Sequence, residues 1–243
     1  MTPGVLYLIP ATLADPKGGP DAALIASSLP PGTLAVLARL EAFAVENAKS
    51  ARAFLKAVSP LPLQRLVLTE IGHAPDRAVL APLIDALRRG QDVGLLSESG
   101  CPAVADPGAL LVRMAHDAGL SVAPLVGPSA ILLALMASGL EGQRFAFGGY
   151  LPIKPDERRT AIRALETRSA ANRETQIAIE TPYRNAALFG ALLAALKPST
   201  RLSVALDLTL ASQSIRTMTV QQWRTAPEPP LDRRQAVFLL LAA

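Results

Sequence analysis

Val93-Gly94-Leu95-Leu96-Ser97-Glu98-Ser99-Gly100-Cys101-Pro102-Ala103-Val104-Ala105-Asp106-Pro107-Gly108 is the stretch from which the fold can be read. An apolar run leads into small and turn-forming residues, and an apolar-periodic helix follows. That order is strand, loop, helix. In an open α/β sheet such a loop lies beyond the carboxyl end of its strand, where ligands usually bind. Glycine lets a ligand approach the backbone, and proline sets the loop's shape in advance. Any strand-to-helix connection can look turn-rich, but the length of this one and its two acids, Glu98 and Asp106, favour a binding role.

The alternation extends to both sides of this loop. Residues 5–9 form an apolar run ended by Pro10, and read as a buried first strand. Residues 10–32 are rich in proline and glycine and read as a long irregular loop, of the kind that is often functional. Helices are expected over 33–40, 46–58, 76–89 and 108–118, and strands over 42–45, 66–69, 92–96 and 120–124. Strands alternating with helices at this spacing mean a mostly parallel sheet covered by helices.

Pro124-Leu125-Val126-Gly127-Pro128-Ser129-Ala130 is a second turn signal, and a domain boundary is placed here, giving domains 1–124 and 125–243. The charge-poor helix expected over 130–138 reads as buried. Its entry offers backbone N–H groups and the Ser129 hydroxyl, which suit a carboxylate or phosphate, or make a plain serine cap. Beyond it, strands are expected over 144–150, 176–180, 202–209, 214–220 and 237–241, with helices over 156–168 and 184–196. Two strands in succession without a helix between them imply an antiparallel pair, hence a mixed C-terminal sheet.

Composition narrows the function classes. The 243 residues are 50% hydrophobic and 18% charged, the balance of a folded globular chain. No apolar run approaches the roughly 20 residues that span a bilayer, and no basic leader opens the chain, so the expected setting is cytoplasmic and membrane-free. The single cysteine, Cys101, excludes an internal disulfide and suits a reducing compartment. A net charge of +4 permits a polyanionic partner. The basic residues are scattered and aromatics make up only 4%, so neither a basic stripe nor a base-stacking platform is evident, and RNA stays open.

Two histidines and one cysteine supply no zinc spacing, and no metal is expected. A nucleophilic pair of Cys101 with His73 or His116 is conceivable, although a buried inert thiol is the commoner case. A Walker A loop, a G-x-S-x-G elbow and a G-x-G-x-x-G turn after the first strand are all missing, which removes the support for NTP hydrolysis, serine hydrolysis and a dinucleotide site.

The loop at 97–108, followed by Val126-Gly127-Pro128-Ser129-Ala130, resembles the tetrapyrrole methylase superfamily of S-adenosylmethionine (SAM) methyltransferases. It is most similar to the bacterial branch that methylates a ribose 2′-hydroxyl of small-subunit rRNA, whose loop reads S-D-A-G-T-P…D-P-G and then P-G-P-S-A. Glu98 stands here for Asp, Ser99 for Ala, Cys101 for Thr and Val126 for Pro. Leu6-Tyr7-Leu8-Ile9-Pro10, Gly149-Tyr150-Leu151-Pro152 and Glu180-Thr181-Pro182-Tyr183-Arg184 match further segments in the same order. The resemblance implies two α/β domains with SAM in a cleft between them, in a homodimer. It implies a SAM site lined by Glu98, Ser99, Gly100, Cys101, Ser129, Ala130, Ile131 and Thr181, with Pro10 and Leu13 toward the substrate.

A hydroxyl acceptor needs a base, and Glu70, Glu46 and Asp106 are the candidates, with His73 behind them. Methylation of a tetrapyrrole-like small molecule and SAM binding without catalysis are the alternatives to rRNA.

Overall fold

The computed structural model describes residues 2–13 and 22–243, and the chain divides into two compact units, Met1–Ser129 and Ala130–Ala243. In the first, strands β1 (Val5–Ile9), β2 (Ala42–Val45), β3 (Val67–Glu70), β4 (Val93–Leu96) and β5 (Ser121–Pro124) pair in the order β3-β2-β4-β1-β5. The expected mostly parallel sheet is parallel throughout. Parallel strands need long crossovers, and helices in those crossovers bury both faces. Helices α1 (Ala22–Ser28), α2 (Pro31–Leu37) and α3 (Ala48–Val58) cover one face, and α4 (Arg77–Arg88) and α5 (Ala109–Asp117) the other. Side chains alternate along a strand. Leu6, Ala42, Ala44, Val93 and Leu95 accordingly pack with α4 and α5, while Ile9, Phe43, Val45 and Leu96 pack with α1, α2 and α3.

In the second unit, β6 (Phe145–Tyr150), β7 (Thr175–Glu180), β8 (Arg201–Leu206), β9 (Ser214–Thr219) and β10 (Ala236–Leu241) pair in the order β6-β7-β10-β8-β9. Only β6 and β7 are parallel; the successive strands β8 and β9 form the expected antiparallel pair. Helices α7 (Pro155–Asn172), α8 (Asn185–Ala195) and α9 (Val220–Trp223) enclose a core around Ile162, Leu188, Phe189, Phe238 and Trp223. Helix α6 (Ala130–Ser138) lies against β8, β9 and β10. Its end is tied down by Thr217 Oγ1, which donates to the Ser138 carbonyl at 2.7 Å.

Three expectations change. The stretch 10–32 is not one irregular loop, because α1 forms within it and α2 begins at Pro31; residues 14–21 of that stretch lie outside the described residues. Proline is tolerated at the first helical position, where the missing N–H has no intrahelical partner. Helix α6 is not fully buried: Met136 is 79% and Leu132 50% exposed, because a helix apolar all round still turns only one face to a single sheet. The four-residue α9 was not foreseen from the sequence. No helix among the described residues is long and apolar enough to cross a membrane.

Candidate functional site

At the carboxyl end of the first sheet, three loops are stitched together. Beyond β1, the Ala11 N–H donates to the Gly100 carbonyl at 2.9 Å, an isolated antiparallel bridge that joins residues 10–13 to the loop after β4. Beyond β5, Gly127 approaches Pro10 so closely that an added Cβ would stand 2.3 Å from the proline Cβ. The Val126 carbonyl there accepts from Thr33 Oγ1 at 2.7 Å. Gly100 has φ +67°, and a Cβ on it would press to 3.3 Å from Leu13 Cδ2. Pro10 and Leu13 are both buried. The structure thus brings Pro10, Leu13, Gly100, Cys101 and the segment leading to Ser129 into one place.

The same sheet edge gathers acids. Val45 pairs with both Leu96 and Glu70, so Glu46, one residue past β2, lies level with Ser97 and next to the end of β3. Glu46 is buried, and its Oε1 lies 2.7 Å from His73 Nδ1 in an ion-pair contact, while the imidazole remains 86% exposed. Gly72, with φ +63°, makes the turn that brings His73 back from the end of β3. Glu70 Oε2 accepts from the Ala48 N–H at 2.9 Å. That places an anion at the N-terminus of α3, where the helix dipole favours it. Glu98 Oε1 accepts from Ser50 Oγ at 2.7 Å.

Asp106 is a different case. Burial pushes its carboxyl up to about 6, with the nearby Glu46 and Glu98 charges adding to the rise, and Ser97 and His73 pulling the other way. The Asp106 side chain does not cap α5: Gly108 occupies the cap position and no side chain bonds there. Ser97 was not singled out from the sequence. Its hydroxyl is buried and forms no hydrogen bond of good geometry, a feature visible only once the loop is folded.

Cys101 is half-buried and its Sγ donates to the Pro128 carbonyl at 3.5 Å. Burial, and next the Asp106 charge, push its thiol above the ordinary value. A protonated thiol is a poor nucleophile. The structure therefore does not support a Cys101–histidine pair. Among the described residues, no group of three or more His, Cys, Asp or Glu could hold a metal ion.

In the second unit, Ala130 and Ile131 open α6, and Thr181 follows β7. Glu180 is buried; its Oε1 accepts from Arg184 Nη2 at 2.6 Å and from the Thr181 N–H at 2.7 Å. Arg184 Nε also donates to Thr181 Oγ1 at 3.1 Å. The Glu-Thr-Pro-Tyr-Arg segment is thus a self-bonded turn.

Comparison with known proteins shows the family. The family model described as Tetrapyrrole (Corrin/Porphyrin) Methylases matches residues 26–223. A protein of Xylella fastidiosa named ribosomal RNA small subunit methyltransferase I is 31% identical over 241 residues, covering 99% of this chain and 81% of that protein. The protein of the same name from Mesorhizobium japonicum is 42% identical over 139 residues, 57% of this chain; that match spans less than half of the relative, 46%. Among solved structures, the methyltransferase CobJ has the same fold, with a TM-score of 0.63 at 17% identity over 99% of this chain and 95% of that one. The chain belongs to the tetrapyrrole (corrin/porphyrin) methylases, in the same branch as the two proteins named small subunit methyltransferase I.

Proposed function

We propose that the protein is a SAM-dependent methyltransferase that modifies a ribose 2′-hydroxyl of small-subunit rRNA in the cytoplasm. The observation that carries the reading is the stitched loop around Gly100 beside the half-buried carboxyl of Asp106, within a chain 31% identical over 99% of its length to a relative named ribosomal RNA small subunit methyltransferase I.

The residues present fit SAM as the donor. Gly100 leaves free the space that a Cβ would take against Leu13. Glu98 and Asp106 supply negative charge of the sign a sulfonium requires. When bound, the donor supplies an electrophilic methyl group on a sulfur that carries its own leaving group. The protein's share is then positioning and exclusion of water. Residues 10–13, 97–101 and 127–129 hold the donor through backbone and shape, and the buried Pro10 and Leu13 keep that wall dry. The net charge of +4 assists an RNA partner. The reading includes a homodimer, since exposed apolar residues such as Met136 on α6 are the kind of surface that association covers.

Calorimetry with SAM, followed by transfer of labelled methyl groups to unmodified small ribosomal subunits, tests the proposal. Binding and label in a ribose of the subunit's rRNA are expected. Label only in a tetrapyrrole offered in parallel would move the activity to the small-molecule alternative, and binding without transfer to either would leave a SAM-binding protein. Sedimentation equilibrium at micromolar protein is expected to give twice the chain mass; a single-chain mass would refute the dimer.

A further inference from the structure

The sheet edge holds one pair of groups that neither the donor site nor the helix caps account for. Glu46 is buried, with its side chain 8% exposed, yet its one ion-pair partner among the described residues is a histidine that stands almost wholly in solvent. Each other acid at this edge has a task that the structure displays. Glu70 caps α3, Glu98 accepts from Ser50, and Asp106 is the half-buried carboxyl beside Cys101 in the donor loop. A carboxylate withdrawn from water loses hydration, and a single contact with a solvent-exposed ring is a poor return unless the ring's placement matters.

The orientation is specific. His73 Nδ1 stands 2.7 Å from Glu46 Oε1 in an ion-pair contact, and at that separation the neutral ring is expected to carry its proton on Nδ1 and leave the Nε2 lone pair free. Gly72, in the left-handed region at φ +63°, aims the ring, and a Cβ there would meet nothing within 4 Å. The turn is thus a matter of direction and not of crowding. A buried carboxylate that fixes the tautomer of an accessible imidazole is the arrangement by which proteins prepare a proton acceptor.

We infer that His73 is the general base for the methyl-accepting hydroxyl, and that Glu46 is its positioning residue. This assignment rests on the hydroxyl-methylation reading above. The acceptor O–H bond breaks and its proton passes to the Nε2 lone pair. The oxygen's electron pair forms the new carbon–oxygen bond, and the electrons of the old carbon–sulfur bond stay on sulfur, which leaves as a neutral thioether. The imidazolium that results is stabilised by Glu46 and releases its proton to water through its exposed edge.

The test compares wild type, His73→Ala and Glu46→Gln in methyl transfer to unmodified small subunits, with SAM affinity measured on each. His73→Ala is expected to lower the turnover rate at least about 100-fold, the usual range for a lost general base, with SAM affinity unchanged. Added imidazole is expected to restore part of that rate in His73→Ala and to leave wild type unaffected, which a structural role for the ring would not produce. Nitrogen-15 spectra of labelled histidine, recorded without donor or RNA, are expected to show the Nδ1-protonated tautomer in wild type and its loss in Glu46→Gln. If wild type transfers no methyl group to rRNA, the substrate reading falls and this assignment with it. If wild type is active and His73→Ala keeps its rate, the assignment alone is overturned. A rate loss that imidazole does not rescue, or a tautomer unchanged in Glu46→Gln, likewise rejects the dyad while leaving the methyltransferase intact.

Discussion

At the scale of single residues, two positions convert the geometry into measurable numbers. The folded protein holds the Asp106 proton up to about pH 6, whereas an ordinary aspartate releases it near 3.8. A carboxyl that binds its proton more tightly in the folded state supports stability fully below the unfolded value and loses that support as pH rises through the folded one. Asp106→Asn should therefore gain on wild type between about pH 4 and pH 7, read as a growing difference in urea midpoint. A difference that stays flat across that window would show that the proton is not held. Gly127→Ala should cost about 1–3 kcal/mol, because the new methyl would meet a proline ring that cannot rotate away. Its unfolding midpoint should fall, and SAM affinity with it if residues 10–13 line the donor site. These effects were only partly legible in sequence. Asp106 was named as a candidate, but its raised pKa comes first from burial that no local pattern reports and then from the charge of Glu46, some 60 residues earlier.

At the scale of elements, the strands came out within a residue or two of the reading except where β8 stops at Leu206, three residues short of the expected 209. Four helix starts were read one or two residues early, at 46, 76, 108 and 184, where residues at or next to the cap carry helix-like chemistry on a non-helical backbone, and two were read late, at 33 and 156, where proline opens the helix. Helix α3 shows the mechanism. Asn47 accepts from the N–H groups of Lys49 and Ser50 at 2.9 and 3.2 Å, while Glu70 takes that of Ala48. Asn47→Ala should cost about 1 kcal/mol, measurable by urea unfolding, with faster amide exchange confined to the first turn of α3. Helix α7 continues to Asn172, past the expected end at 168, and closes on Arg173 in the left-handed region without the glycine that would have marked its end. Helix α9 is four residues long and depends on its capping box, Thr219 with Gln222, and on Trp223, whose Nε1 donates to the Leu202 carbonyl at 2.8 Å. So short a segment has no periodicity to read; it forms because β8 supplies its anchor.

At the scale of the whole molecule, each unit has its own sheet and its own core. The only tryptophan, Trp223, lies in the second unit and packs edge-on to Phe189 at 5.3 Å. Its fluorescence reports that unit, whereas far-UV circular dichroism reports both. The two urea transitions should fail to superimpose, and coincident curves would instead mean that the chain unfolds as one cooperative block. The amino-acid sequence by itself determined the α/β class, the parallel first sheet, the mixed second one and the loop at 97–108, because these follow from local hydrophobic periods and turn chemistry that neighbouring residues carry together. Its ordered motifs also pointed to the family. Only the tertiary structure decided which acids act where: Glu70 on a helix end, Asp106 half-buried and off the cap, Glu46 facing His73. Those roles depend on burial and on pairings between residues distant in the chain, set by strand order and register, which local sequence does not encode.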